Sequence, residues 1–133
     1  MKNSVSALSK AQGEVVGSFT VRFEVGSADR GEFREVEGLV DTGSTFSRIP
    51  ASLLLELHHE KAGRERFRLG DGRVVEYDLA DVPVRLAGKV RTTTCMWDEA
   101  EAQPVLGAVS LEQFLLAVDP VEQRLVGVDA LLM

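Results

Sequence analysis

Apolar and polar residues alternate from Val15 to Val25. Val15, Phe19, Val21, Phe23 and Val25 share one face and Thr20, Arg22 and Glu24 the other, which predicts a half-buried strand. A polar turn, Gly26 to Gly31, separates it from a second strand, Glu32 to Val40, that ends on Leu39 and Val40 directly before Asp41. After the polar stretch Thr42 to Ser47, Pro50 can open a short Leu-rich helix over Ala51 to His59, because the first turn does not need the N–H that proline lacks. Arg66 to Leu69 and Arg73 to Leu79 read as strands joined by Gly70-Asp71-Gly72, a hairpin signal because Asp-Gly accepts positive φ. Two more strands, Val82 to Leu86 and Lys89 to Met96, flank the turn Ala87-Gly88. The apolar run Pro104 to Ala108 leads to Ser110, placed to cap a helix from Leu111 to Ala117, and Arg124 to Met133 reads as one or two strands. Short strands punctuated by Gly, Pro and Asp predict an all-β fold, a small barrel or sandwich with one or two short helices.

The chain has 133 residues, room for one domain with a sizeable core, and its 44% hydrophobic and 27% charged residues suit a globular protein. Met1 to Gly13 is polar and rich in small residues, so the expectation is a flexible segment over 1–13 and a single domain over 14–133. That segment holds no apolar stretch of the kind a secretory signal requires, and no run is long enough to span a membrane. A net charge of -6 argues against a nucleic-acid partner, which would need clustered Lys and Arg. The dense basic stretch, Arg64, Arg66 and Arg68 near Lys61, is read as a solvated strand face. Cys95 is the one cysteine, so no intrachain disulfide forms, and its expected role is a small buried apolar residue. Together these features predict a cytoplasmic protein without membrane contact, cofactor or metal. His58 and His59 are expected to end the first helix, where cationic side chains favour its dipole, and they lack a third ligand for a metal site. Phe19, Phe23, Phe33 and Phe114 are expected in the core, and Trp97 in a loop but packed into the core or the wall of a substrate site.

The stretch with chemistry is Gly38-Leu39-Val40-Asp41-Thr42-Gly43-Ser44-Thr45, an apolar strand that delivers an acid into a hydroxyl-rich turn. It resembles the active-site loop of the aspartic proteases: two apolar residues, then Asp, Thr or Ser, Gly and a small residue. The order around it strengthens the likeness. Phe46-Ser47-Arg48-Ile49-Pro50, a Leu-rich helix, a Gly-containing hairpin, and then Val105-Leu106-Gly107 with a second helix follow in the retropepsin sequence of elements. Leu39-Val40-Asp41 and Val105-Leu106-Gly107, each with a downstream helix, form an internal echo. The resemblance covers roughly residues 15 to 130.

That resemblance implies a retropepsin-like closed acid-protease barrel, homodimeric, with aspartic endopeptidase activity on extended peptide segments. Amide hydrolysis without metal or nucleophile needs one group to take a proton from water and another to give one to the carbonyl oxygen. Two carboxylates sharing one proton do both, because like charges at close approach cannot both ionise. Only one Asp-Thr-Gly occurs here, since Asp71, Asp119 and Asp129 lie in other contexts. The partner acid must therefore come from a second identical chain on a two-fold axis. By resemblance Asp41, Thr42 and Gly43 are catalytic: Asp41 activates water, the hydroxyl of Thr42 ties the paired loops, and Gly43 admits a close backbone approach. Ser44 would donate its hydroxyl to Asp41, which implies an acidic optimum. With Leu69, Gly70, Asp71 and Gly72, which occupy the place of the mobile flap, it would bind substrate. Retropepsins often carry Arg and then Asp or Asn after the late apolar-Gly pair. Ala108, Val109 and Ser110 stand there instead, so the family's interface ion pair is not expected.

Three other readings fit parts of the same stretch. A retropepsin-fold peptide-binding or dimerisation module would keep the loop and cleave little. An apolar strand followed by Asp, a residue, Gly and two hydroxyls also looks like the phosphate loop of sugar-kinase and actin-type ATPases, which need a second such loop and a much longer chain. Or Asp41 is a strand-end turn residue that bonds its own backbone.

Overall fold

The computed structural model describes residues 18–133. The expected N-terminal segment 1–13, and the start of the strand expected from Val15, lie outside the described residues. Nine strands and two short helices follow in order: β1 (Phe19–Gly26), β2 (Phe33–Val40), β3 (Ser47–Pro50), α1 (Ala51–Glu56), β4 (Arg64–Arg68), β5 (Val74–Leu86), β6 (Lys89–Asp98), β7 (Val105–Leu106), α2 (Ala108–Gln113), β8 (Leu116–Asp119) and β9 (Arg124–Gly127). Seven strands form one sheet in the order β1-β2-β7-β3-β6-β5-β4, β1 also pairs with β5 at Glu24–Arg85 and Val25–Val84, and β8 and β9 pair separately. The fold is mostly β, with the two short helices that the sequence pattern predicts.

The alternation of β1 holds in part: Phe19, Phe23 and Val25 are buried and Arg22 is exposed, while Val21 is only half-buried, as are Thr20 and Glu24. Phe23 and Val25 enter a core shared with Ile49, Leu54 and Val82, and a smaller cluster of Phe19, Val40 and Leu111 lies where β2 ends. Burying each of these side chains contributes about 1.5–3 kcal/mol against leaving it in water. The internal echo becomes a physical pairing. Leu39 lies beside Val105 and Val40 beside Leu106 in a parallel match of β2 and β7.

Several expectations are corrected. The two strands expected at Arg73 to Leu79 and Val82 to Leu86 are one strand of 13 residues, β5. Pro83 sits where only β6 pairs with β5, so its missing N–H can face an open edge and cost no ladder bond. The second helix starts at Ala108 with Gly107 as its cap, and Leu116–Asp119 is a strand, not helix. Ser110 therefore lies inside α2, and Leu115, with φ of 56°, ends it. The first helix stops at Glu56, and His58 takes a left-handed φ of 68°. His59 is not a solvated dipole partner: it is buried, and its Nε2 donates to the carbonyl of Gly26 at 2.7 Å, tying this loop to the end of β1. Phe33 is only half-buried, with the Arg85 guanidinium 3.9 Å from its ring centroid. Trp97 lies in β6, not in a loop, and is buried with Lys61 over its ring.

Cys95 fills the small buried apolar role expected of it, and burial pushes its thiol pKa up to about 12.

Candidate active site

Asp41 is the first residue after β2 and inherits its position from the β2–β7 pair, since its amide donates to the carbonyl of Leu106 at 3.0 Å. The chain then turns. The amide of Ser44 donates to the Asp41 carbonyl at 3.2 Å, and the amide of Gly43 donates to Asp41 Oδ1 at 2.9 Å. A Cβ on Gly43 would stand 3.2 Å from that same oxygen, so the small residue leaves the carboxylate room. Asp41 itself is half-buried, while Thr42, Gly43 and Thr45 are exposed along the outer edge of the loop.

The loop rests on α2. Amides of Ala108 and Val109 donate to the carbonyls of Ser44 and Thr45 at 2.7 and 3.0 Å. Gly107 runs against the loop so closely that a Cβ there would lie 2.5 Å from the Phe46 oxygen and 2.7 Å from the Ser44 oxygen. Beneath it three hydroxyls form a buried chain: Ser110 Oγ lies 2.5 Å from Ser47 Oγ and 2.6 Å from Thr93 Oγ1, and Ser47 Oγ accepts from the Gly107 amide at 3.0 Å. This neutral network locks β3, β6 and α2 together under the loop.

A cleft of about 650 Å3 opens above Asp41 and reaches the β4–β5 hairpin. The loop contributes Asp41, Gly43 and Ser44, and the hairpin contributes Leu69 and Gly70. Phe46, Phe67 and Tyr77 supply an aromatic wall, with Phe67 edge-on to both of the others at centroid distances of 5.8 and 5.3 Å. Asp41 is the one carboxylate on the described cleft wall.

The expected site residues do not all meet. Asp71 and Gly72 stand outside the cleft lining. The Asp71 carboxylate accepts from the amide of Arg73 at 3.0 Å and from its Nε at 2.7 Å, which holds its pKa below the usual carboxylate range. Thr42 is exposed on the loop and lies outside the lining as well. Ser44 differs most from expectation: its hydroxyl donates to the Phe46 carbonyl at 2.9 Å and not to Asp41, so the basis for an acidic optimum is gone. The Phe46 carbonyl lies within the same turn and captures the short side chain. Sequence reasoning passed over Arg48, although Ser47 and Ile49 are buried and strand alternation puts Arg48 on the opposite face of β3, bordering the cleft. It also passed over Phe67 and Tyr77, whose cross-strand meeting needs the hairpin register to be seen.

No protein-family model and no curated protein matches the sequence. Solved structures do match in three dimensions. The protease of simian foamy virus (mac) is similar with a TM-score of 0.51 and 12% identity, over 70% of this chain and 91% of that one. The fold is retropepsin-like. An EIAV protease complexed with an inhibitor gives a TM-score of 0.51 at 19% identity, over 71% of this chain and 85% of that one. Protein Lpg0085 of Legionella pneumophila, described as of unknown function, gives 0.50 at 15% identity, over 75% and 90%.

Proposed function

We propose that residues 14–133 act as one retropepsin-like domain, and that two copies form an aspartic endopeptidase whose active site is completed on their two-fold axis. The observation that carries this reading is that a lone carboxylate, Asp41, shares a cleft with a hairpin tip while the outer edge of its loop is exposed. One carboxylate cannot both take and give a proton in the same step, whereas a symmetry-related pair can. An extended peptide would lie between the loop and Leu69 and Gly70, pairing through its backbone, and the aromatic wall would receive an apolar side chain. Thr42 would meet its copy across the axis. The chain of strand pairings that returns from β5 to β1 suits a closed barrel. No helix among the described residues is long and apolar enough to cross a membrane. That fits action on peptides in water, and the cytoplasm is the compartment we propose.

The test is digestion of an unstructured protein across the acidic to neutral range, by the wild type and by Asp41→Asn, with and without a transition-state mimic such as pepstatin. Cleavage that depends on Asp41 supports the reading. A second reading, a peptide-binding module that cleaves little, is favoured by one observation: the Ser44 hydroxyl is turned to Phe46 and away from the carboxylate. It requires that the wild type bind peptides and leave them intact.

A further inference from the structure

The chain carries a net charge of -6, yet its cleft is basic. Arg48, Arg66 and Arg68 border it against the single carboxylate Asp41. Arg48 is the most firmly held of the three. Its Nε and Nη2 both donate to the Gln103 carbonyl, at 3.3 and 2.9 Å, and its Nε lies 3.7 Å from a carboxylate oxygen of buried Asp98. Asp98 in turn accepts from the amides of Ala100 and Ala102, so it is fixed by its own loop. Nη1 of Arg48 has no partner among the described residues. The guanidinium is therefore pre-oriented at the cleft with a donor to spare, beside Val105, its cross-strand neighbour on β7.

The arginines on β4 are not equivalent. Arg64, away from the cleft, is neutralised by Asp78 and Glu76. Arg68 spends one donor on the Gly72 carbonyl, and Arg66 forms no ion pair or side-chain hydrogen bond with any described residue. Cationic charge left uncompensated along a cleft raises the local concentration of anionic groups, and a fixed guanidinium adds a charge-assisted hydrogen bond.

We propose that this cleft selects extended peptides carrying a carboxylate side chain near the bond to be cut, with Arg48 as its anchor and Arg66 and Arg68 supplying attraction. The inference rests on the peptidase reading for its position relative to the cut, but acid selection itself requires only that the cleft bind peptides. If the site is two-fold, both sides of the cut carry the same preference.

The test is a set of fluorogenic peptides, identical apart from Glu or Gln scanned through the positions flanking an aromatic residue. They are measured for cleavage by the wild type and, by anisotropy, for binding to Asp41→Asn. At low salt near neutral pH, one Glu position is expected to raise kcat/KM and affinity about tenfold over Gln, equivalent to about 1.4 kcal/mol. The ratio should fall toward one in molar salt, and below about pH 4.3, where the peptide's own Glu becomes protonated. It should also collapse in Arg48→Gln, and shrink in Arg66→Gln/Arg68→Gln, a surface change that keeps the proposal testable if the first variant folds poorly. Equal handling of Glu and Gln peptides in both assays overturns the proposal, as does a preference that survives all three substitutions. Glu-selective binding without any cleavage upholds acid selection and rejects the peptidase reading.

Discussion

The backbone of Gly107 passes the carbonyl of Phe46 so closely that a β-carbon there would stand 2.5 Å from its oxygen. This contact seats the Asp41 loop on α2, and the obstacle is backbone on both sides, so neither can move aside cheaply. Gly107→Ala is expected to cost about 1–3 kcal/mol or more by overpacking. Peptidase activity should fall further than the loss of folded protein explains, because the loop itself is displaced. Denaturant melts alongside kcat/KM measure both.

Ser110 joins two other buried hydroxyls, and its removal leaves Ser47 and Thr93 each short of a partner. Ser110→Ala should destabilise the protein by about 1–3 kcal/mol, the cost of stranding buried polar groups. Ser110→Thr keeps the hydroxyl but adds a methyl where the side chain is fully buried, and is expected to fail through crowding. Urea midpoints of the two variants test this.

Burial holds the Cys95 thiol protonated, with its pKa raised from 9.0 to about 12. The native protein should resist alkylation at neutral pH and react only as it unfolds. The sign of the linkage follows. A folded pKa above the unfolded one contributes stability in full below about pH 9, and that contribution is lost as pH rises toward about 12. Cys95→Ala should flatten this alkaline decline in a pH series of melts, at the cost of a smaller core.

What could be read from the residues alone was whatever depends on local pattern. The alternation of Phe19, Phe23 and Val25, the Gly70-Asp71-Gly72 turn, and the repeated apolar pair before Asp41 and Gly107 all follow from spacing, and the fold carries each of them. What escaped depends on contacts between distant segments. Ser110 looked like a helix cap because it precedes Leu111, but its hydroxyl is drawn to Ser47 and Thr93, 63 and 17 residues away. Ser44 looked like a donor to Asp41 because the two are near in sequence, yet a closer carbonyl wins. His59 looked like a helix-end residue until β1 supplied the Gly26 carbonyl. The cleft shows the same division: Asp41, Gly43, Ser44, Leu69 and Gly70 follow from motif and turn, while Arg48, Phe67 and Tyr77 come together only through strand register.

The central claim is that two copies of Asp41 act in one site, and mixing tests it most directly. Wild type and Asp41→Asn are combined at fixed total concentration, allowed to exchange subunits, and assayed for peptide cleavage. If each site needs both carboxylates, activity follows the square of the wild-type fraction, and an equal mixture retains about one quarter of the rate. A linear fall to about one half, or an Asp41→Asn protein as active as the wild type, would contradict the account.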